Sequence, residues 1–278
     1  VSRGGAVSPA AVRNDAVAVG LPRWTYLPAA LAVALLVLPL AALLIKADWA
    51  QVPRALVSEE SRAALWLSLK CGIAATLLCL LLGTPLAIVL SRGDGAGSRI
   101  VRALVTVPLV LPPMVGGIAL LYLLGVNGLA GHYLFVWFGA RIAFTTIAVV
   151  IAETFVALPF LVLTLEGAVR SVGSRYEAVA ATLGAGRWTV LRRVTLPLLG
   201  PAIATGTALC FARALGEFGA TALFAGNAQG VTRTMPLAIY TAFNGAGAST
   251  DAAVAMSLLL ILLAVAILIW IRPRRSPV

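Results

Sequence analysis

The amino-acid sequence predicts an all-α, polytopic membrane protein with about six transmembrane helices, and three observations carry that prediction. Of the 278 residues, 61% are hydrophobic and only 11% charged, with a mean hydropathy of +1.01; a water-soluble domain carries roughly 25% charged residues. The apolar residues gather into runs near the roughly 20 residues that a helix needs to cross a bilayer. Outside the runs, 14 of the 21 basic residues fall on the two terminal segments and on alternate connections, the bias that orients helices in a membrane. The net charge of +11 does not point to nucleic acid, because no segment is long and polar enough to be a folded basic domain.

Taken in order, residues 1–22 are small, polar and basic, without a periodic apolar face, and are expected to form a disordered cytoplasmic tail. Residues 23–278 read as one transmembrane domain. Its first span is expected over 26–45, with Trp24 and Tyr26 at the interface, and is long enough for a signal anchor rather than a cleaved signal peptide. After a polar connection, in which 52–56 suits an interfacial position, the second span is expected over 64–90 and includes Lys70 and Pro85. The glycine- and arginine-rich stretch 91–102 is assigned to the cytoplasm. The third span, 101–124, contains Pro108, Pro112 and Pro113, which interrupt its hydrogen-bond ladder. Such a break suits either a pathway wall, where protein or water receives the freed carbonyls, or an ordinary kink packed against a neighbour.

An external loop over 125–141 leads to the fourth span, 142–165, which includes Glu153 and Pro159. The cytoplasmic segment 166–197 follows, then a fifth span over 198–218, an external stretch over 219–251 whose piece 236–243 suits an interfacial dip, and a sixth span over 252–271. Within 166–197, Ala178, Ala180, Ala181 and Leu183 suit a short helix, Gly184 and Gly186 a turn, and Trp188, Val190, Leu191 and Val194 a second helix bearing Arg187, Arg192 and Arg193, which Pro197 is expected to end. Two short helices joined by glycines make a knob that a soluble partner can grip. The distribution of basic residues places this knob and both termini in the cytoplasm.

The chain has few residues for chemistry of its own. His132 is the only histidine, and Cys71, Cys79 and Cys210 lie in apolar spans as packing residues, so neither a metal cluster nor a Ser/His/Asp site can be assembled. The only lysines, Lys46 and Lys70, stand outside any G-K-S/T sequence, so no P-loop is present and this chain binds no cofactor of its own. Arg213 and Glu217 are four residues apart on one face of the fifth helix. Two readings stay open for them. Arg213, with small residues including Thr207, Gly216 and Gly219 and with Pro112 and Pro113 of the third span, lines a path for an anion, or the pair is an internal salt bridge. Lys70 reads as a snorkelling residue and Glu153 as an interhelical pairing partner. An ion-coupled secondary transporter is a weaker alternative, since paired half-repeats and midplane acids are not found.

The stretch EAVAATLGAGRWTVLRRVTLP, from Glu177 to Pro197, resembles the EAA loop of ABC-transporter permeases: Glu177, Ala178, Gly184 and Leu196-Pro197 match, with Val179 where a second alanine is usual. SLK at 68–70, PLVLPPMVGG at 108–117, FARALGEFGATALFAGN at 211–227 and TRTMPLAIYT at 232–241 resemble the molybdate permeases of that type and, less closely, the sulfate/thiosulfate permeases. The resemblance implies the importer permease fold of the molybdate/sulfate type and the membrane-spanning subunit of an ATP-driven importer in the bacterial plasma membrane. It implies molybdate or tungstate as cargo, with sulfate or thiosulfate as the alternative. It also implies a homodimer, an ABC ATP-binding subunit that holds ATP and magnesium, and an extracytoplasmic molybdate-binding protein. Glu177, Ala178, Ala181, Gly184, Ala185, Arg187 and Pro197 are then the residues of the ATPase-coupling loop.

Overall fold

The computed structural model describes residues 22–245 and 249–270. All of the expected N-terminal tail except Pro22, and the arginines that follow the last span, lie outside these residues. Every regular element described is a helix, as hydrocarbon requires of an open chain: only a helix pairs all of its backbone groups within itself. The chain divides into two compact units, 1–46 and 47–278. In the first, a short 3-10 turn leads into α1 (Tyr26–Lys46), a 21-residue helix with Pro39 inside it and no buried residue. The turn is closed by Thr25 Oγ1, which donates to the Pro22 carbonyl at 2.7 Å.

The second unit is built around three long helices. α3 (Glu59–Arg92) follows the short α2 (Val52–Val57) and starts at Ser58, whose hydroxyl accepts from the Ser61 N–H, with Glu59 and Glu60 complementing the helix dipole in its first turn. Its 34 residues extend to about 50 Å at 1.5 Å per residue, well beyond a hydrocarbon core of about 30 Å, so its ends project past the apolar layer. α7 (Thr146–Val172) is the central helix, capped by Thr145, and half of its apolar window is buried. α10 (Leu196–Leu215) packs on α7, as α3 does. Small residues allow this closeness: Ala75 and Cys79 of α3, Ala157 of α7 and Cys210 and Ala214 of α10 share one buried cluster. The three cysteines are buried and free.

The segment expected as a single third span is two helices, α4 (Ala96–Val110) and α5 (Pro113–Leu124), whose directions differ by 117°. Pro112 and Pro113 follow one another at the break, so two consecutive N–H donors are missing and the ladder cannot continue. The loops expected on the outside contain further short helices: α6 (Gly131–Phe138), α11 (Gly219–Phe224) and α12 (Met235–Phe243). The last helix is α13 (Thr250–Trp270). It joins α12 and the start of α3 in a cluster around Met235 and Met256. Five of the described helices are long and apolar enough to cross a bilayer, or six if the bent α4–α5 pair counts as one.

Pro197 does not end a helix. The chain is helical from Arg187 to Leu215, through α9 (Arg187–Val190), a π turn at Leu191–Thr195 and α10. In an α-helix the Pro197 ring would meet the carbonyl of Arg193, four residues back. The π turn widens the backbone there, with the Leu196 N–H reaching five residues back to the Leu191 carbonyl, and the helix passes the proline intact.

Candidate translocation site and coupling loop

Two chain breaks meet in the second unit. α10 stops at Leu215, the chain turns through Gly216–Phe218, and α11 starts at Gly219. α11 lies against α5, which follows the proline break. The contact is between backbones: a methyl group built on Gly117 falls 2.7 Å from the Ala220 carbonyl oxygen, and one built on Gly219 falls 2.9 Å from Pro113 Cβ. Glycine is required at both positions by this closeness. Phe144, at a φ of 63°, holds the far end of α11 through its N–H to the Phe224 carbonyl at 3.2 Å.

Of the residues expected to line a path, Pro113 and Gly219 are therefore in contact, Pro112 and Pro113 are exposed, and Gly216 is exposed while Gly219 is buried. Thr207 lies six residues before Arg213 on α10, and its hydroxyl is spent on the Ile203 carbonyl at 2.6 Å. Arg213 and Glu217 do pair: Nη2 lies 2.7 Å from Oε2, with the carboxylate 1% exposed and the arginine side chain 26% exposed. This is a close ion pair without hydrogen-bond alignment at Oε2. Oε1 accepts from the Ala220 N–H at 2.8 Å, so Glu217 is fixed across the break to the first turn of α11. Among the described residues the Arg213 guanidinium makes no hydrogen bond. Its five N–H donors match the oxygens of an oxyanion.

Glu153 does not make the expected interhelical pair. It is buried in α7 at 1% exposure, and its Oε2 has no hydrogen-bond partner among the described residues. The basic side chains of the neighbouring helices are occupied elsewhere: Arg213 faces Glu217, and Lys70 is exposed with its Nζ 4.9 Å from the Trp66 ring centroid.

At the other end, α8 (Arg175–Thr182) and α9 form the expected pair of short helices. α8 ends in a Schellman motif, in which the Gly184 N–H bonds the Ala181 carbonyl at 3.0 Å and the Ala185 N–H bonds the Ala180 carbonyl at 3.1 Å. Gly184 adopts a φ of +83°, which only glycine takes readily. Ala178, Ala181, Gly184, Arg187 and Pro197 are exposed and Ala185 is half-buried, while Leu183 projects at 83% exposure. Glu177 is turned inward, accepting from Arg92 at 3.0 and 3.1 Å and from the Thr195 hydroxyl at 2.6 Å. Sequence reasoning took Arg92 only as a topology charge and did not single out Thr195; the Arg92 partner lies 85 residues away, and no local spacing signals it. Close by, Arg102 and Arg170 both bond Glu166, at 2.8 and 3.2 Å, tying α4 to the end of α7. Among the described residues no group of three or more His, Cys, Asp or Glu side chains is placed to hold a metal.

A multi-helix membrane unit with two broken helices in contact and a compact helical knob on a basic connection suits a transport component of the membrane. The chain belongs to the family described as binding-protein-dependent transport system inner membrane component, whose model matches residues 80–277. It is 56% identical over 220 residues to the molybdenum transport system permease protein ModB of Mycobacterium tuberculosis, covering 79% of this chain and 83% of the relative. The corresponding Escherichia coli protein is 40% identical over 198 residues, 71% of this chain and 86% of the relative. The E. coli sulfate transport system permease protein CysT is 35% identical over 209 residues, 74% and 75% of the two chains. In fold, the chain is similar to a chain of the bacterial alginate ABC transporter crystallised in complex with an alginate pentasaccharide-bound periplasmic protein, with a TM-score of 0.67 at 18% identity over 92% of this chain and 96% of that one.

Proposed function

We propose that this chain is the membrane-spanning subunit of an ATP-driven importer and carries a tetrahedral oxyanion, molybdate or tungstate, across the bacterial plasma membrane. The observation that carries the cargo is the 56% identity to a protein named for molybdenum transport, against 35% to one named for sulfate transport. Sulfate remains the second reading on the strength of that weaker similarity. The chain works as a homodimer with both termini in the cytoplasm. An ABC ATP-binding subunit supplies ATP, magnesium and hydrolysis, since this chain has no P-loop. An extracytoplasmic binding protein delivers the ion.

The knob from Glu177 to Arg187 is the part that the ATP-binding subunit grips; its exposed Leu183 and its glycine turn support that role. The contact of α5 with α11 is the constriction in the path, and Arg213 offsets part of the desolvation of the dianion there. Glu217 holds the guanidinium in place and weakens its grip, so that the ion is released. Proteoliposomes containing this chain, the ATP-binding subunit and the binding protein are expected to accumulate radiolabelled molybdate only with ATP inside. Excess unlabelled tungstate is expected to suppress this accumulation and sulfate to leave it largely unchanged. Accumulation without ATP would refute the importer reading, and preference for sulfate would refute the cargo.

A further inference from the structure

Helix α8 is fastened to the rest of the chain largely through one carboxylate. None of its residues is buried. Among the described residues, the side-chain hydrogen bonds that leave the helix all end on Glu177. Arg92, the last residue of α3, spans both carboxylate oxygens from one nitrogen, at 3.0 and 3.1 Å. Thr195, which is 5% exposed and ends the π turn before Pro197, donates to Oε1 at 2.6 Å. An exposed ion pair alone fixes a helix poorly; the third partner differs, because Thr195 is the buried residue of the π turn, a local departure from α-helical pairing of the kind frequently found at functional sites. Beside the carboxylate runs a groove of about 460 Å³, bordered by Arg92, Ala181, Ala185, Trp188 and Leu191, which leaves room for α8 to swing if the carboxylate is released.

We propose that Glu177 acts inside its own chain as a clamp, with Arg92 and Thr195 as positioning residues, so that one carboxylate fastens α8 to the end of α3 and to the π turn that leads into α10. A push on the knob then reaches two transmembrane helices at once. The clamp is a property of this chain alone. Its part in ATP coupling rests on the reading of the knob as the docking site of the ATP-binding subunit.

The test uses the complete transporter in lipid nanodiscs, with Cys71, Cys79 and Cys210 replaced by alanine and spin labels at positions 89 and 179, both exposed in the present chain. With Arg92 and Thr195 intact, the distance between labels within a chain is expected to be narrowly distributed. Arg92→Ala with Thr195→Val is expected to broaden it and to lower molybdate moved per ATP hydrolysed by roughly 2- to 30-fold, the range of mutations along a coupling route, while the ATP-binding subunit still copurifies. Arg92→Lys with Thr195 intact keeps the positive charge and is expected to retain most of both properties. A narrow distribution in the double variant, or a broad one with unchanged transport per ATP, would overturn the proposal. Failure of the docking reading shows separately, as undiminished uptake in Gly184→Pro with the distance distribution unaltered.

Discussion

Alanine at position 117 tests the contact between the two broken helices. The added methyl carbon lies 2.7 Å from the Ala220 carbonyl oxygen, 2.9 Å from its Cα and 3.2 Å from its carbonyl carbon. All three are backbone atoms, so no side-chain rotation relieves the clash, and α5 and α11 must part by several tenths of an ångström to restore ordinary contact. Overpacking of this kind costs about 1–3 kcal/mol, against a gain of about 0.5–1 kcal/mol from replacing glycine within a helix. The net expectation is a loss between about 0 and 2.5 kcal/mol, with a middle value of about 1 kcal/mol. Gly97→Ala in α4 is the control, since a methyl group there meets nothing within 4 Å and only the gain applies. Thermal unfolding of the purified variants in one detergent is expected to show Gly117→Ala melting below the parent protein and Gly97→Ala at or above it. If both variants rise together, the close backbone contact between α5 and α11 is not there.

Gly184→Pro is expected to leave the protein inserted but to abolish molybdate uptake, because proline holds φ near −65° where the Schellman turn needs +83°; uptake and copurification of the ATP-binding subunit are the measurements, and undiminished uptake rules out the knob. In a background without native cysteines, cysteine at positions 98 or 174 should react with an impermeant thiol reagent only in inverted vesicles, and at 127 or 244 only from outside; the opposite pattern overturns the orientation. Glu153→Met replaces a buried carboxyl group whose Oε2 has no hydrogen-bond partner among the described residues with an apolar side chain of similar volume, and is expected to raise stability by about 1–3 kcal/mol, read as a higher melting temperature. A fall in melting temperature would mean that Glu153 makes a favourable interaction after all.

The parts of the fold that follow from local physics were legible in the sequence. Apolar runs located the long helices, and the alanines and glycines of 177–186 located α8 and its turn, because helix propensity and left-handed glycine act over a few residues. Pro112 and Pro113 announced a break but not its size, since a 117° change of direction depends on what α5 packs against. Pro197 was misleading because its cost was absorbed by a π turn, which depends on backbone geometry rather than composition. α6 and α11 escaped notice because helices of 8 and 6 residues carry too few turns for a periodic signal. The Arg213–Glu217 pair was visible from its four-residue spacing. The Arg92–Glu177 pair was not, since only the packed helices bring those residues together.

The central claim, that Arg213 serves the transported oxyanion, is tested most directly by measuring labelled molybdate uptake by the Arg213→Ala, Glu217→Ala double variant. Arg213→Ala alone leaves a carboxylate that is 1% exposed without its cation, so loss of transport there has two causes. Removing both charges of a buried pair is often neutral for stability, and the double variant is expected to assemble with its ATP-binding subunit like the parent. This assembled double variant is expected still to fail to accumulate molybdate. Uptake restored toward the parent level would show the pair to be a structural salt bridge and would contradict the account.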